Sequence, residues 1–162
     1  MVVKSSSVDL ESLDLAYLAL FVGHRVNEMV VVKAKAKGHE NVRESHGYVI
    51  QHLIDRERSI TDLARRMEVT QQAASKSVTE LIRLGVVESA PAKDRRAKLI
   101  RLTKRGMESV NDAWAVREKI DRQLSKALGQ KNYRRVKENL LVCLKELGGT
   151  KRIEARRVRE PK

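Results

Sequence analysis

Residues 59–106, SITDLARRMEVTQQAASKSVTELIRLGVVESAPAKDRRAKLIRLTKRG, decide the architecture. Ser59 can cap a short helix, ITDLARRM, with Asp62 three residues on where a capping box prefers Glu or Gln. EVTQ makes a tight connection to a second helix from about Thr70 to Leu84, which Gly85 ends. At about 100° per residue, Ala74, Ser77, Val78 and Leu81 gather on one side of that helix. Leu63, Ala64, Met67 and Val69 are spaced to pack against them, the pattern of a helix-turn-helix. The opposite side carries Gln72, Lys76, Thr79 and Arg83, with no acid before Glu80. Two β-prone runs, VVES and KLIRL, bracket the basic, Pro-containing segment APAKDRRA, which predicts a hairpin with a long tip.

Longer helices flank this unit. Leu10, Leu13, Tyr17, Leu20, Phe21 and His24 recur at intervals of three and four, predicting one helix over about 9–37 that Asp9 or Ser7 caps and Gly38 stops. After the polar stretch GHENVRES, a second helix is expected from near Ser45, and DRER then turns the chain. Thr103 begins a long helix to about Leu128. A last helix over about 131–147 carries a narrow seam of Tyr133, Val136, Leu140, Cys143, Leu144 and Leu147. The expected fold is mainly α with a small β-hairpin wing, a winged helix-turn-helix flanked by long dimerisation helices. Its parts are a flexible N-terminus (1–8), a first dimerisation helix and support helix (9–58), the winged helix-turn-helix (59–106), and a long helix with a C-terminal dimerisation helix (107–148). Residues 9–148 form one domain, and the basic tail 149–162 lacks a sustained apolar face and is predicted to be disordered.

The second short helix has the chemistry of a recognition helix. Gln71 and Gln72 can read an adenine edge through paired amide bonds, and Lys76 suits a phosphate better than a base. The hydroxyl of Thr70 can cap the helix, whose N-terminus attracts phosphate. Ala73, Ser75 and Thr79 complete the candidate surface. From Lys93 to Arg105 there are seven basic residues and one acid. Such density at a hairpin costs stability by self-repulsion unless an anion is nearby, and a wing of this kind can lower arginine into a minor groove. The candidate wing residues are Lys93, Asp94, Arg95, Arg96 and Lys98.

Composition bounds the alternatives. Thirty-four Lys and Arg against twenty-one Asp and Glu give a net charge of +13, pointing to a polyanionic partner. A single cysteine, Cys143, excludes an intrachain disulfide framework, and its place on the apolar seam suggests an inert thiol. The four histidines lack metal-ligand spacing, so no metal and no cofactor is expected. No unbroken apolar run approaches the roughly 18 residues of a membrane span, and MVVKSSSVDLESLD lacks the features of a secretory signal, so a cytoplasmic protein is expected. The sequence contains no Gly-rich phosphate loop, G-x-S-x-G or H-E-x-x-H, so it does not read as an enzyme. Two other classes use the same charge. An RNA-binding or non-specific nucleic-acid-binding protein is disfavoured by an aromatic content of 3%. A winged-helix module for protein contact would show no salt-dependent affinity for DNA.

With these residues assembled, the chain resembles the MarR family of regulators. The match lies in ITDLARRMEVTQQAASKSVTELIRLGVVES and DRRAKLIRLTKRG, with Gly85, Asp94, Arg96, Leu102, Thr103 and Gly106 in register. The resemblance implies that Arg96 enters the minor groove while Asp94 holds it, and that the first and last helices interlock two subunits. Uncovered apolar stripes on those helices point the same way, and a twofold dimer would read an inverted repeat in double-stranded DNA. Repression, and release by a small aromatic ligand, are implied by the resemblance alone. Candidate ligand contacts are Tyr17, His24, Arg25, Tyr48 and Trp114, although His24 and Trp114 also fit ordinary packing.

Overall fold

Val49, Ile50 and Leu53 from one helix meet Leu63, Val78, Leu81, Val87 and Ile100 from four later elements, and this cluster is the core. The computed structural model describes residues 9–38, 43–90 and 98–150. Its elements are α1 (Leu15–Ala36), α2 (Glu44–Leu53), β1 (Arg58–Ser59), α3 (Ile60–Met67), α4 (Gln71–Arg83), β2 (Val87–Ala90), β3 (Leu99–Leu102), α5 (Lys104–Leu128) and α6 (Gln130–Glu146). The three strands form an antiparallel sheet in the order β1-β3-β2, with Ser89 opposite Ile100 and Arg58 opposite it on the other side. The expected architecture is present. The hairpin tip, with Lys93, Asp94, Arg95 and Arg96, lies outside the described residues, as do residues 1–8 and the tail from residue 151.

The N-terminal helix differs from expectation. Leu10–Ser12 form a separate 3-10 turn capped by Asp9, and Leu13 is extended. Asp14 then accepts the Tyr17 N–H at 2.8 Å and starts α1. A second capping carboxylate five residues after the first offers the chain a second start, and the extended Leu13 separates the two. β1 was also missed, because two residues carry no periodicity. Its pairing with β3 is what makes the hairpin a three-stranded sheet.

Helix α1 buries none of its residues within the chain, and Leu15, Leu18, Leu20, Phe21 and Val22 are exposed. By length and a mean hydropathy of 1.4 it would suffice to cross a membrane. Counting only unbroken apolar runs overlooked this, since Arg25 and Glu28 interrupt the stretch. The helix lies against α5, where Lys37 pairs with Asp112, Arg117 donates to Asn27 Oδ1 at 3.2 Å and Arg105 donates to the Gly38 carbonyl at 2.9 Å.

The junction between sheet and α5 explains the Leu-Thr…Gly sequence. Thr103 Oγ1 accepts the Gly106 N–H at 3.0 Å as the helix cap and donates to the Gly85 carbonyl at 2.6 Å. The Thr103 N–H donates to the Val86 carbonyl at 3.0 Å. A Cβ on Gly106 would stand 2.1 Å from that same carbonyl oxygen. Because the obstacle is backbone, Gly106→Ala must move α5 off the sheet. We expect a loss of about 1–3 kcal/mol, read as a fall in thermal midpoint. An unchanged midpoint would show that α5 is not seated this tightly.

Candidate nucleic-acid interface and adjoining cavity

Helix α4 is fastened from behind and open in front. Ala74, Val78 and Leu81 are buried, against Leu63 and Ala64 of α3. Thr70 Oγ1 accepts the Ala73 N–H at 3.2 Å, so the predicted cap is formed. Gln71, Gln72, Ala73, Lys76, Thr79 and Arg83 are exposed, and Ser75 is half-buried on the flank. The recognition face read from the sequence is therefore assembled as one surface. Val69 departs from expectation and is 37% exposed rather than packed. Glu68 before it takes the left-handed conformation (φ 55°), and this turn carries Val69 out of the helix interface.

Helix α3 is braced by charge. Ser59 Oγ accepts the Asp62 N–H at 3.1 Å, while the Asp62 carboxylate accepts from Arg58 at 3.1 Å, Arg66 at 2.9 Å and also Arg65. Arg58 is buried and also donates through Nε to the His52 carbonyl at 2.6 Å, tying α2 to α3. Burial alone would raise the Asp62 pKa, but the hydrogen bonds from Arg66, Arg65 and Arg58 outweigh it and hold the carboxyl far below its usual range.

The wing's charge is smaller than its count of basic residues. Arg101 bonds Glu88 at 2.8 Å across the β2–β3 pair and lies 3.6 Å from Glu57, and Arg105 is held by the Gly38 carbonyl. Two of the seven basic residues thus serve the fold. Lys98, at the foot of β3, is exposed.

Between α1, α2 and α5 lies a cavity of about 460 Å³ lined by Val30, Val31, Ile50, Ile54, Val110 and Ala113 with Arg43, Tyr48, Trp114 and Arg117. Among the described residues no Asp or Glu lines it. Tyr48 and Trp114 meet here as ligand candidates, but Tyr17, His24 and Arg25 do not line it. Tyr17, Phe21 and His24 instead form a ring ladder on exposed α1, with centroids 5.0 and 6.4 Å apart, and Arg25 pairs with Glu28. Neither His24 nor Trp114 is core; Trp114 is 53% exposed. Arg43 and Arg117 were missed because they lie 74 positions apart in the chain and only the packing of helices unites them. Cys143 is half-buried on α6, whose seam residues Val136, Leu140 and Leu147 are exposed in the single chain. Among the described residues no group of His, Cys, Asp and Glu is placed to hold a metal ion.

Comparison with known proteins matches residues 42–97 to the model of the MarR family. Over those residues the chain is similar to the MarR family. MarR-family proteins are winged-helix transcriptional regulators rather than enzymes. Over 81–85% of its length the chain is similar in fold to solved structures of low identity. The Staphylococcus aureus MepR–DNA complex is 20% identical with a TM-score of 0.65, covering 82% of this chain and 98% of that one. YusO from Bacillus subtilis is 20% identical with a TM-score of 0.65, covering 81% and 91%. S. aureus MepR bound to ethidium bromide is 21% identical with a TM-score of 0.59, covering 85% and 99%. No curated protein sequence matches the chain.

The brace on α3 has a pH signature. A carboxyl held below its usual value of 3.8 stabilises the fold fully above about pH 4 and less as pH falls toward its lowered value. Asp62→Asn should therefore melt lower than the parent at pH 7 and show a shallower decline between pH 4 and 2. Parallel melting curves over that range would contradict the assignment.

Proposed function

We propose that this chain is a homodimeric, sequence-specific repressor that reads an inverted repeat with α4 in the major groove and the wing in the minor groove. The observation that carries this reading is the exposed polar row Gln71, Gln72, Lys76 and Thr79 on a helix whose other side is locked into the core. The amides suit base edges, and Lys76 suits phosphate. Lys93, Arg95, Arg96 and Lys98 serve as the wing contacts, with Asp94 positioning Arg96. The exposed apolar residues of α1 and α6 support a twofold pairing that sets two readers about 34–36 Å apart. MepR, similar in fold, has been solved on DNA. A cytoplasmic location is part of this proposal.

Selection of bound sites from random duplex DNA tests the class and the symmetry together. The recovered sites should be inverted repeats, and their affinity should fall steeply with salt. Lys76→Ala should weaken binding across sequences and reduce the salt slope by about 1. Arg96→Ala should weaken binding most at sites with a narrow A·T-rich minor groove. A shifted base preference with an unchanged slope in Lys76→Ala would remove that residue from the phosphate.

Release by a small aromatic ligand fits the cavity under α1. Its apolar walls, Tyr48 and Trp114 suit a ring, and two arginines, with no carboxylate among the described lining residues, suit an anion. MepR has been solved with ethidium, a cation; the lining charge here favours the opposite sign. Trp114, the chain's sole tryptophan, reports occupancy directly. Titration with 1-naphthoate should change its fluorescence saturably, whereas 1-naphthylmethylammonium should not, and Arg117→Met should weaken the naphthoate response. Equal responses to both probes would reject the anion preference.

A further inference from the structure

Glu80 is the sole acid of α4. It follows Lys76 by one helical turn and sits about 40° around the helix from it. At that spacing a free carboxylate can fold onto the lysine and cancel its charge. It would also meet the phosphates that a reader helix approaches.

The carboxylate is held elsewhere. His46, at position N3 of α2, is 3% exposed, and its Nδ1 accepts the Arg43 backbone N–H at 3.1 Å. This is the role a capping box usually gives to Glu or Gln. With Nδ1 an acceptor, a neutral imidazole carries its proton on Nε2, which stands 3.1 Å from Glu80 Oε2 and donates to it. Both ring nitrogens are committed, so the ring cannot turn without losing one bond. The hydrogen bond from His46 is also the main cause of a Glu80 pKa below the usual carboxylate value, with the charges of Arg43 and Lys76 adding to it.

We propose that His46 is a positioning residue for DNA binding, holding Glu80 against α2 and off the groove-facing side of α4 so that Lys76 keeps its charge for phosphate. This rests on reading α4 as the DNA-contacting helix. It differs from a plain helix-to-helix strut in one respect: removing the glutamate must cure the loss of the histidine.

The test compares the parent, His46→Phe, Glu80→Gln and the double variant on one selected duplex over a range of salt, with melting curves for each. His46→Phe keeps the ring volume, frees Glu80 and should weaken binding about two- to fivefold at 0.1 M salt. It should also make the salt slope shallower by about 0.9, the loss of one effective phosphate contact. Glu80→Gln alone should stay near the parent in affinity and slope, because His46 already holds the carboxylate away from direct pairing with Lys76. The double variant should return to the Glu80→Gln values, and His46→Gln, whose amide can still donate to Glu80, should lie near the parent. A folded double variant that binds as poorly as His46→Phe overturns the proposal. So does a Glu80→Gln variant that binds tighter with a steeper slope, and that single measurement decides the matter if His46→Phe does not fold. Absence of salt-dependent binding by the parent to any duplex would instead remove the DNA reading itself; parental binding without rescue leaves that reading standing.

Discussion

The close seating of α5 on the Val86 carbonyl is the contact on which the rest of the molecule depends. Helix α5 begins in the sheet and ends where α6 starts, so any tilt at its first turn is multiplied over 25 residues. Thr103 sets that turn with three bonds in one place: it caps the helix, donates its hydroxyl to the Gly85 carbonyl and donates its backbone N–H to the Val86 carbonyl. Gly106 is the complement, the one residue type that leaves no atom between helix and strand. The exposed polar row of α4 and the apolar faces of α1 and α6 keep a fixed relation because this joint admits one geometry.

Part of the chain's positive charge holds the fold together. Arg58, Arg65 and Arg66 converge on one aspartate, and Arg101 and Arg105 fasten the sheet and the N-terminal helix. Exposed ion pairs of this sort each contribute little, because water screens them; Arg58 differs because it is buried and also bonds a backbone carbonyl. A net of +13 already subtracts the acids in these pairs, so what the pairing settles is where the positive charge lies. On α4 it narrows to Lys76 and Arg83, which is why the placement of a single neighbouring carboxylate carries weight.

Some of the site was legible because its signal is local. The spacing of Ala74, Val78 and Leu81 assigns the buried side of α4, and once that side is known the exposed row follows by rotation alone. Thr70 and Ser59 were readable as caps because a cap needs only the residue and the N–H groups one turn ahead. The start of α1 was misread for the same local reason, since Asp9 and Asp14 both qualify and the nearer one wins. Val69 and Trp114 were misplaced because apolar character says that a residue seeks cover, not that the chain can supply it.

What the sequence determined by itself is the helix-turn-helix, its polar face and the wing that follows, since each rests on interactions within one or two turns of chain. What only the tertiary structure decided is everything made by residues distant along the chain. That includes the pairing of β1 with β3, the cavity joining Arg43, Tyr48, Trp114 and Arg117, and the bond from His46 to Glu80 across 34 residues. Periodicity encodes which way a side chain faces from its own helix. It does not encode which other helix will stand in front of it, because that depends on crossing geometry set by all the packed faces together.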